Sequence, residues 1–459
     1  MSRYTFTSES VSEGHPDKHP LSPRGVTSPR TVRLGRTVPS PEKIVTLSLR
    51  RVAAAGVLAA ATACASSTEP RTPRELGALP RTLSQAEVEV RDAANGFALP
   101  IFQRISAEQP GENVFVSPFS ISMSLGMVMN GAKGETLDEM KQVLGFGEAE
   151  LATVQNGYRD LSALLRGLDR ATSFQIANSI WYRQDLTVVP SFLDAGRTYF
   201  DAEIRSLDFT DAEGTMSAVN GWVKEKTKGR IPTILEEVSP DDVMYLTNAI
   251  WFKGEWRTRF DRARTYDGQF TTAGGTTQTV RMMTQTADST TGLRVSSDPD
   301  IRAFELPYGN GAYAMTIVLP TAGTDVDALA STLTTDRWNR IVEQMRDERG
   351  LEIHLPKFTL EYKRELRKDL HALGMRRAMG GTADLTGIFA DGGGQIAYVT
   401  HKTFVQVDEV GTEAAAVTNI GIRVTSLPPA IHVNRPFIFA IRERLTGTIL
   451  FIGKMTEIP

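Results

Sequence analysis

One stretch, Glu409 to Ser426 (EVGTEAAAVTNIGIRVTS), constrains this chain more than any other. Gly411 and Thr412 lead into three alanines, and no bulky apolar side chain follows until Val417. Its neighbours are clear strands, HKTFVQVDE (401–409) before it and PFIFAI (436–441) and TILFIGKM (448–455) after it. On the strand period of two, alternate side chains share a face. One face then carries Thr412, Ala414, Ala416, Thr418, Ile420 and Ile422, and the other carries Glu413, Ala415, Val417, Asn419, Gly421 and Arg423. Both charges fall on the second face. The eleven residues from Thr412 to Ile422 span roughly 36 Å as a strand, at about 3.3 Å per residue. The segment is too small-sided and polar for an ordinary core strand, yet one face is free of charge. It reads as a loop that can become the middle strand of a sheet.

Composition narrows the functional classes. The chain has 459 residues, a net charge of −3 and 23% charged residues, so nothing suggests a nucleic-acid or acidic-substrate partner. A single cysteine excludes an internal disulfide framework and any Cys-rich metal site. No cofactor or metal is expected. A Ser/His/Asp hydrolase needs a histidine base. The folded part offers only His354, His371, His401 and His432, with no G-x-S-x-G or H-E-x-x-H beside them. The glycines at 380–381 and 392–394 read as turns, not a phosphate loop. A catalytic role is not expected.

From Gln85 to Pro459, about 375 residues show no internal repeat and no second linker, so they read as one large α+β unit. VEVRDAANGFALPIFQRI (88–105) predicts an amphipathic helix, and 113–134 a nearly all-apolar, buried helix entered through Ser117-Pro118. Thr136 with Glu139 suggests a capping box for a helix ending near Phe146. Residues 173–184 alternate like a strand, a helix starts at Pro190, and another around 217–229 ends at Gly229. Residues 243–256 form a long apolar strand for a sheet interior, with more strands from Phe304 onward and helices at 325–346 and 362–374.

With EVGTEAAA (409–416) followed by SLPPAIHVNRPF (426–437), the chain resembles the serpins, and the resemblance covers all of residues 85–459. It implies a serpin fold, three β-sheets with eight to nine helices and an exposed reactive-centre loop. It implies a monomeric suicide inhibitor of serine proteases, in which a cleaved loop inserts into the largest sheet. The hinge would be Glu409, Gly411, Thr412, Glu413, Ala414, Ala415 and Ala416. Counting sixteen residues on from Glu409 places the scissile bond between Thr425 and Ser426, and the distance forward to Pro436-Phe437 agrees. Arg423 is an alternative cleavage point for a trypsin-like protease. Threonine as bait suits elastase-like or subtilisin-like enzymes. In serpins the residues matching Ser117, Asn248 and His401 meet beneath the strands that part, and Trp256 matches the tryptophan where the hinge first enters. Each is equally readable as a satisfied core residue. An uncharged Thr412 and small side chains at 414–416 favour trapping over a non-inhibitory binding or carrier role, since a charge at 412 would be buried unpaired.

The N-terminal region reads differently. Residues 1–18 (MSRYTFTSESVSEGHPDK) resemble the start of S-adenosylmethionine synthetases, whose catalytic histidine matches His15. The match stops at Lys18 and none of that enzyme's other motifs follows, so a misjoined gene start is the simpler reading, with His15 and Asp17 carrying no chemistry. Residues 19–43 are rich in Pro, Ser, Thr and Arg and predict disorder, so 1–43 reads as a spurious extension. In 44–64, Arg50 and Arg51 precede an apolar run, 52–63, that is too short to span a bilayer but suits a secretory signal. The small residues before Cys64 resemble a bacterial lipoprotein cleavage site, although Ala61 stands where leucine is usual. That predicts a lipid anchor on Cys64, export across the inner membrane, and an envelope or extracellular location, with 65–84 as a flexible tether.

Overall fold

The computed structural model describes residues 74–287, 292–391, 394–396, 398–412 and 429–459. Among the described residues nine α-helices pack on three sheets. A seven-stranded sheet runs in the order β1 (Val114–Val116), β17 (Ile449–Met455), β16 (Phe437–Glu443), β9 (Tyr313–Pro320), β8 (Ile301–Pro307), β7 (Leu293–Asp298) and β10 (Arg346–Glu348). Every residue of β9, β16 and β17 is buried, which is why their sequences are mainly apolar instead of alternating, with Thr316, Arg442, Glu443 and Lys454 the buried polar exceptions. Phe115 stacks on Phe439 and Phe451 at 5.4 and 5.2 Å, tying β1 into this layer.

A six-stranded sheet runs β12 (Phe358–Glu365), β13 (Thr400–Val407), β14 (Gly411–Thr412), β4 (Met244–Glu255), β2 (Thr172–Arg183) and β3 (Glu203–Leu207). Its pleat sends side chains to two different cores. Ile250 and Phe252 face the main core, while Trp181, Tyr245 and Ala249 pack with Phe209, Val219, Trp222 and Val223 beneath α6 (Ala212–Lys226). The smallest sheet is β15 (Ala430–His432), β11 (Glu352–Pro356), β6 (Thr277–Thr286) and β5 (Asp261–Thr271).

The remaining helices are α1 (Gln85–Glu108), α2 (Pro118–Met129), α3 (Gly134–Leu144), α4 (Leu151–Gly167), α5 (Pro190–Phe200), α7 (Val326–Thr332), α8 (Thr335–Glu343) and α9 (Arg367–Ala372). α1 starts a turn before its apolar pattern because Ser84 and Glu87 form a capping box, their bonds measuring 3.3 and 2.7 Å. Of the segment expected as a tether, the described part packs Leu76, Leu79 and Leu83 against the core.

Four expectations change. Residues 114–116 pair with β17 as a strand, and the buried helix begins only at Pro118, whose fixed φ suits a first turn. Thr136 and Glu139 do not cap α3, which starts earlier, at Gly134. Thr136 instead accepts the Asp384 amide at 2.9 Å, and Glu139 accepts those of Arg376 and Arg377. The helix expected over 325–346 is split at Leu333-Thr334, where Thr334 caps α8. The one expected over 362–374 shrinks to α9, because residues 358–365 pair along all of β13.

Candidate functional site

β13 and β4 run parallel and pair directly from Thr400–Thr247 to Phe404–Trp251. Beyond that point they part, and Gly411–Thr412 occupies the gap, antiparallel to both. Thr412 lies opposite Val407 on one side and Gly254 on the other, and Gly411 lies opposite Glu255. The six-stranded sheet thus has a seam, filled at its mouth and closed below.

The chain reaches the mouth through a tight turn. The Asp408 carboxylate accepts the amides of Val410 and Gly411 at 2.9 and 3.2 Å, while the Asp408 amide donates to Gly411 O at 2.9 Å. Only glycine fits at 411, since a Cβ there would stand 2.1 Å from Gly254 O and 2.7 Å from Glu255 Cα. Thr412 is fully buried and shares a 2.7 Å hydrogen bond with the Tyr308 hydroxyl. Burial pushes that phenol up, so it stays a neutral partner.

Trp256 clamps the turn. Its ring stacks on Tyr308 at 4.4 Å and 12°, its Nε1 donates to Asp408 O at 2.8 Å, and its backbone amide donates to Val410 O at 2.8 Å. Glu409 is not a solvated hinge charge. Its side chain is 7% exposed and accepts from Lys357 Nζ at 2.8 Å and Thr265 Oγ1 at 2.9 Å. Burial opposes its charge, but these bonds hold the carboxyl below its usual range.

The closed part of the seam is anchored from both faces. On the core side, Ser117 caps α2 and donates its amide to His401 Nε2 at 3.0 Å, so the His401 proton sits on Nδ1, which has no partner among the described residues. Burial drives the His401 pKa down to about 3 and keeps the ring neutral. Asn248, the direct neighbour of His401 across the seam, takes a different partner on the same helix. It accepts from Ser120 Oγ and donates to Asn178 Oδ1 on β2 at 2.7 Å. Ser117 with His401 and Ser120 with Asn248 therefore form two hydrogen-bonded pairs, one on either side of the seam. Each strand is pinned separately to the start of α2.

On the opposite face, the chain leaving α6 straddles the seam. Lys226 O accepts Trp251 Nε1 of β4 at 3.3 Å, and Lys228 Nζ lies 4.9 Å over the Trp251 ring. On the β13 side, Thr233 O accepts Lys402 Nζ at 3.0 Å, and Arg230 lies over Phe404.

Ser117, Asn248, His401, Trp256, Glu409, Gly411 and Thr412 thus gather along one seam. Glu413, Ala414, Ala415, Ala416, Arg423, Thr425 and Ser426 lie outside the described residues, as do Cys64, His15 and Asp17. Sequence reasoning missed Asp408, Ser120, Asn178, Tyr308 and Lys357. The Asp-x-x-Gly spacing of 408–411 carried a turn signal. The others are remote in the chain and left none. Val410, between Asp408 and Gly411, is buried.

A serpin (serine protease inhibitor) family model matches residues 92–458. Iripin-2 of Ixodes ricinus is 35% identical over 382 residues, covering 82% of this chain and 95% of its own length. Serpin B11 of Mus musculus is 32% identical, covering 80% and 99%. Among solved structures, the thermophilic serpin Tengpin in its native state matches with a TM-score of 0.74 at 30% identity, over 84% of this chain and 97% of that one. Human thyroxine-binding globulin complexed with thyroxine matches at 0.75 and 27%, over 81% and 99%. The chain belongs to the serpin family, and its three sheets and nine helices are the serpin fold.

Proposed function

We propose that this serpin traps serine proteases by inserting its reactive loop into the seam between β13 and β4. The observation that carries the reading is the place of Gly411–Thr412, the first rungs of a strand at the mouth of that seam. Extending their register one residue at a time brings Ala414 opposite Val405 and Phe252, and Ala416 opposite Thr403 and Ile250. Thr418 falls opposite both His401 and Asn248, which already face each other. Small side chains would meet large ones, and the one hydroxyl of this run would meet the two polar residues of the core face. On the outer face, Glu413 falls opposite Gln406 and Lys253.

In this mechanism the protease serine attacks the Thr425 carbonyl. The Thr425–Ser426 bond breaks, Ser426 leaves as a new N-terminus, and an ester joins Thr425 to the enzyme. Insertion then draws the acylated protease along the sheet before water can hydrolyse the ester. The driving force is the set of backbone bonds and buried side chains that the sheet gains with a complete middle strand. Thr425 favours elastase-like or subtilisin-like targets, with Arg423 the alternative for a trypsin-like one, and the inhibitor acts as a monomer.

The same proposal includes the division into 1–43, a signal segment 44–64, a tether 65–84 and the serpin domain 85–459. Export across an inner membrane and lipidation of Cys64 rest on the order of Arg50-Arg51, apolar run and sole cysteine. A Cys64→Ser protein that still partitions with membranes would remove the anchor.

Pancreatic elastase, subtilisin and trypsin, each incubated with the protein and resolved by denaturing gel and mass spectrometry, test the trap. The expected result is a denaturation-resistant complex and a C-terminal fragment beginning at Ser426. Cleavage by all three with no complex and no rise in melting temperature would refute insertion and favour a binding or carrier role.

A further inference from the structure

Three elements build a hollow of about 450 Å³ in which five of the eight lining residues are basic. Arg104 comes from α1, Arg367, Lys368 and His371 from α9, and Arg376 from the turn after it, with Ala372, Met379 and Gly380 completing the lining. No carboxylate lines it, in a chain whose net charge is negative.

The local sequence explains the clustering. Arg367 and His371 are four residues apart and Lys368 and His371 three apart, so the exposed side of this short helix is cationic. Gly374, at φ +116, then folds the chain back, and Met375 is buried while Arg376 returns to the surface beside the helix.

The nearby acids are already engaged. Asp369 is fully buried, accepts from Nε and Nη2 of Arg364 at 2.9 and 3.0 Å, and lies 3.8 Å from Arg104 Nε. Glu108 pairs with Arg104 at 2.7 Å, and Glu365 accepts the amides of Arg367 and Val399. Arg367 also spends one nitrogen on Met379 O. The side chains of Lys368, His371 and Arg376 have no hydrogen-bond or ion-pair partner among the described residues, and all three are exposed. Lys368 and Arg376 carry like charge without partners, an arrangement that an anion relieves.

We propose that this hollow binds a ligand carrying two or more linked phosphate groups. Guanidinium groups meet phosphate oxygens in a fork and ammonium groups meet them as point charges, so mixed Arg and Lys walls suit oxygens spread over several phosphates. The volume exceeds that of one phosphate and lies within the range of small-ligand sites. This site is independent of the loop and of protease trapping.

Full-length protein titrated calorimetrically with tripolyphosphate tests the proposal. The double charge reversal Lys368→Glu and Arg376→Glu should weaken binding about a hundredfold, roughly tenfold per reversed charge. The exposed residues Arg170 and Arg262, reversed together, alter net charge equally and should leave binding within about twofold. Binding should also fall as salt is raised. Phosphatidylcholine vesicles carrying phosphatidic acid ask where the phosphates reside. Binding to free tripolyphosphate alone assigns the site to a soluble ligand, and binding to both, lost in the Lys368/Arg376 variant, admits a lipid headgroup. Absence of tripolyphosphate binding, or equal loss in the two double variants, overturns it.

Discussion

The mouth of the seam and its closed lower half are built from the same two strands, yet they are held by opposite means. At the mouth, β13 and β4 are kept apart by a strand that is already in place, and every contact favours its staying. Gly411 fits only without a side chain, Thr412 bonds Tyr308, and Trp256 and Lys357 fasten the turn. In the lower half nothing separates the strands, and they pair directly while being pinned to α2 on one face and bridged by the chain after α6 on the other. The mouth resists withdrawal and the lower seam resists opening. A trap needs both, because a loop that inserts too early cannot serve as bait.

The largest test of this contrast is Thr412→Glu. It would bury a carboxylate with no cation in contact, at a cost of several kcal/mol, and should expel the strand from the mouth. The expected outcome is cleavage without trapping, read as loss of the denaturation-resistant complex on gels. If complexes persist at wild-type yield, the filled mouth is not required for insertion.

Gly411→Ala comes next. Its Cβ would press on backbone atoms of Gly254 and Glu255, which cannot turn aside, and should cost about 1–3 kcal/mol. Thermal unfolding of the uncleaved protein should show a lower midpoint, and an unchanged midpoint would mean that the mouth is not tightly packed.

The lower seam is probed by pH. Buried His401 has a pKa of about 3 against an ordinary value of 6.5. Between those values the unfolded chain binds more protons, so stability is complete above about pH 6.5 and falls as pH drops, by up to about 1.4 kcal/mol per unit from this group. His354, lowered by burial and by its stacked neighbour His432, acts in the same direction. His401→Asn keeps an acceptor for the Ser117 amide and removes the proton site, so melting curves from pH 7.5 to 4.5 should flatten. An unaltered slope would assign the pH dependence elsewhere.

The smallest effect is expected for Trp256→Phe, which keeps a ring against Tyr308 but loses the bond to Asp408 O, about 1 kcal/mol. Hydrogen exchange at the Val410 and Gly411 amides should quicken, while exchange at residues 400–404 stays as it was. Equal quickening at both ends would dissolve the distinction between them.

How much of this was legible varied with distance along the chain. The buried faces of β2 and β4 and the helix start at Pro190 follow from period and local chemistry and appear as expected, and Thr412, where the charge-free face begins, is buried. Local patterns misled where tertiary pairing outweighed them. Residues 114–116 continue an apolar run without a break, and only partnership with β17 makes them a strand. Thr136 and Glu139 have cap spacing, but their oxygens serve amides more than 200 residues away. Ser120 and Asn178 carry no local signal, because the bonds that give them a role cross 128 and 70 residues to Asn248.

By itself, then, the sequence determined what the loop can become. Side-chain size, alternation and the absence of charge on one face are properties of adjacent residues, and they survive any fold. Only the tertiary structure decided where Gly411–Thr412 lies and what holds it there. The width of the gap at Gly254, the stacking of Trp256 on Tyr308 and the separate pinning of His401 and Asn248 to one helix depend on backbones meeting from distant parts of the chain. No local pattern encodes such meetings, because the free energy that selects them belongs to the packed whole.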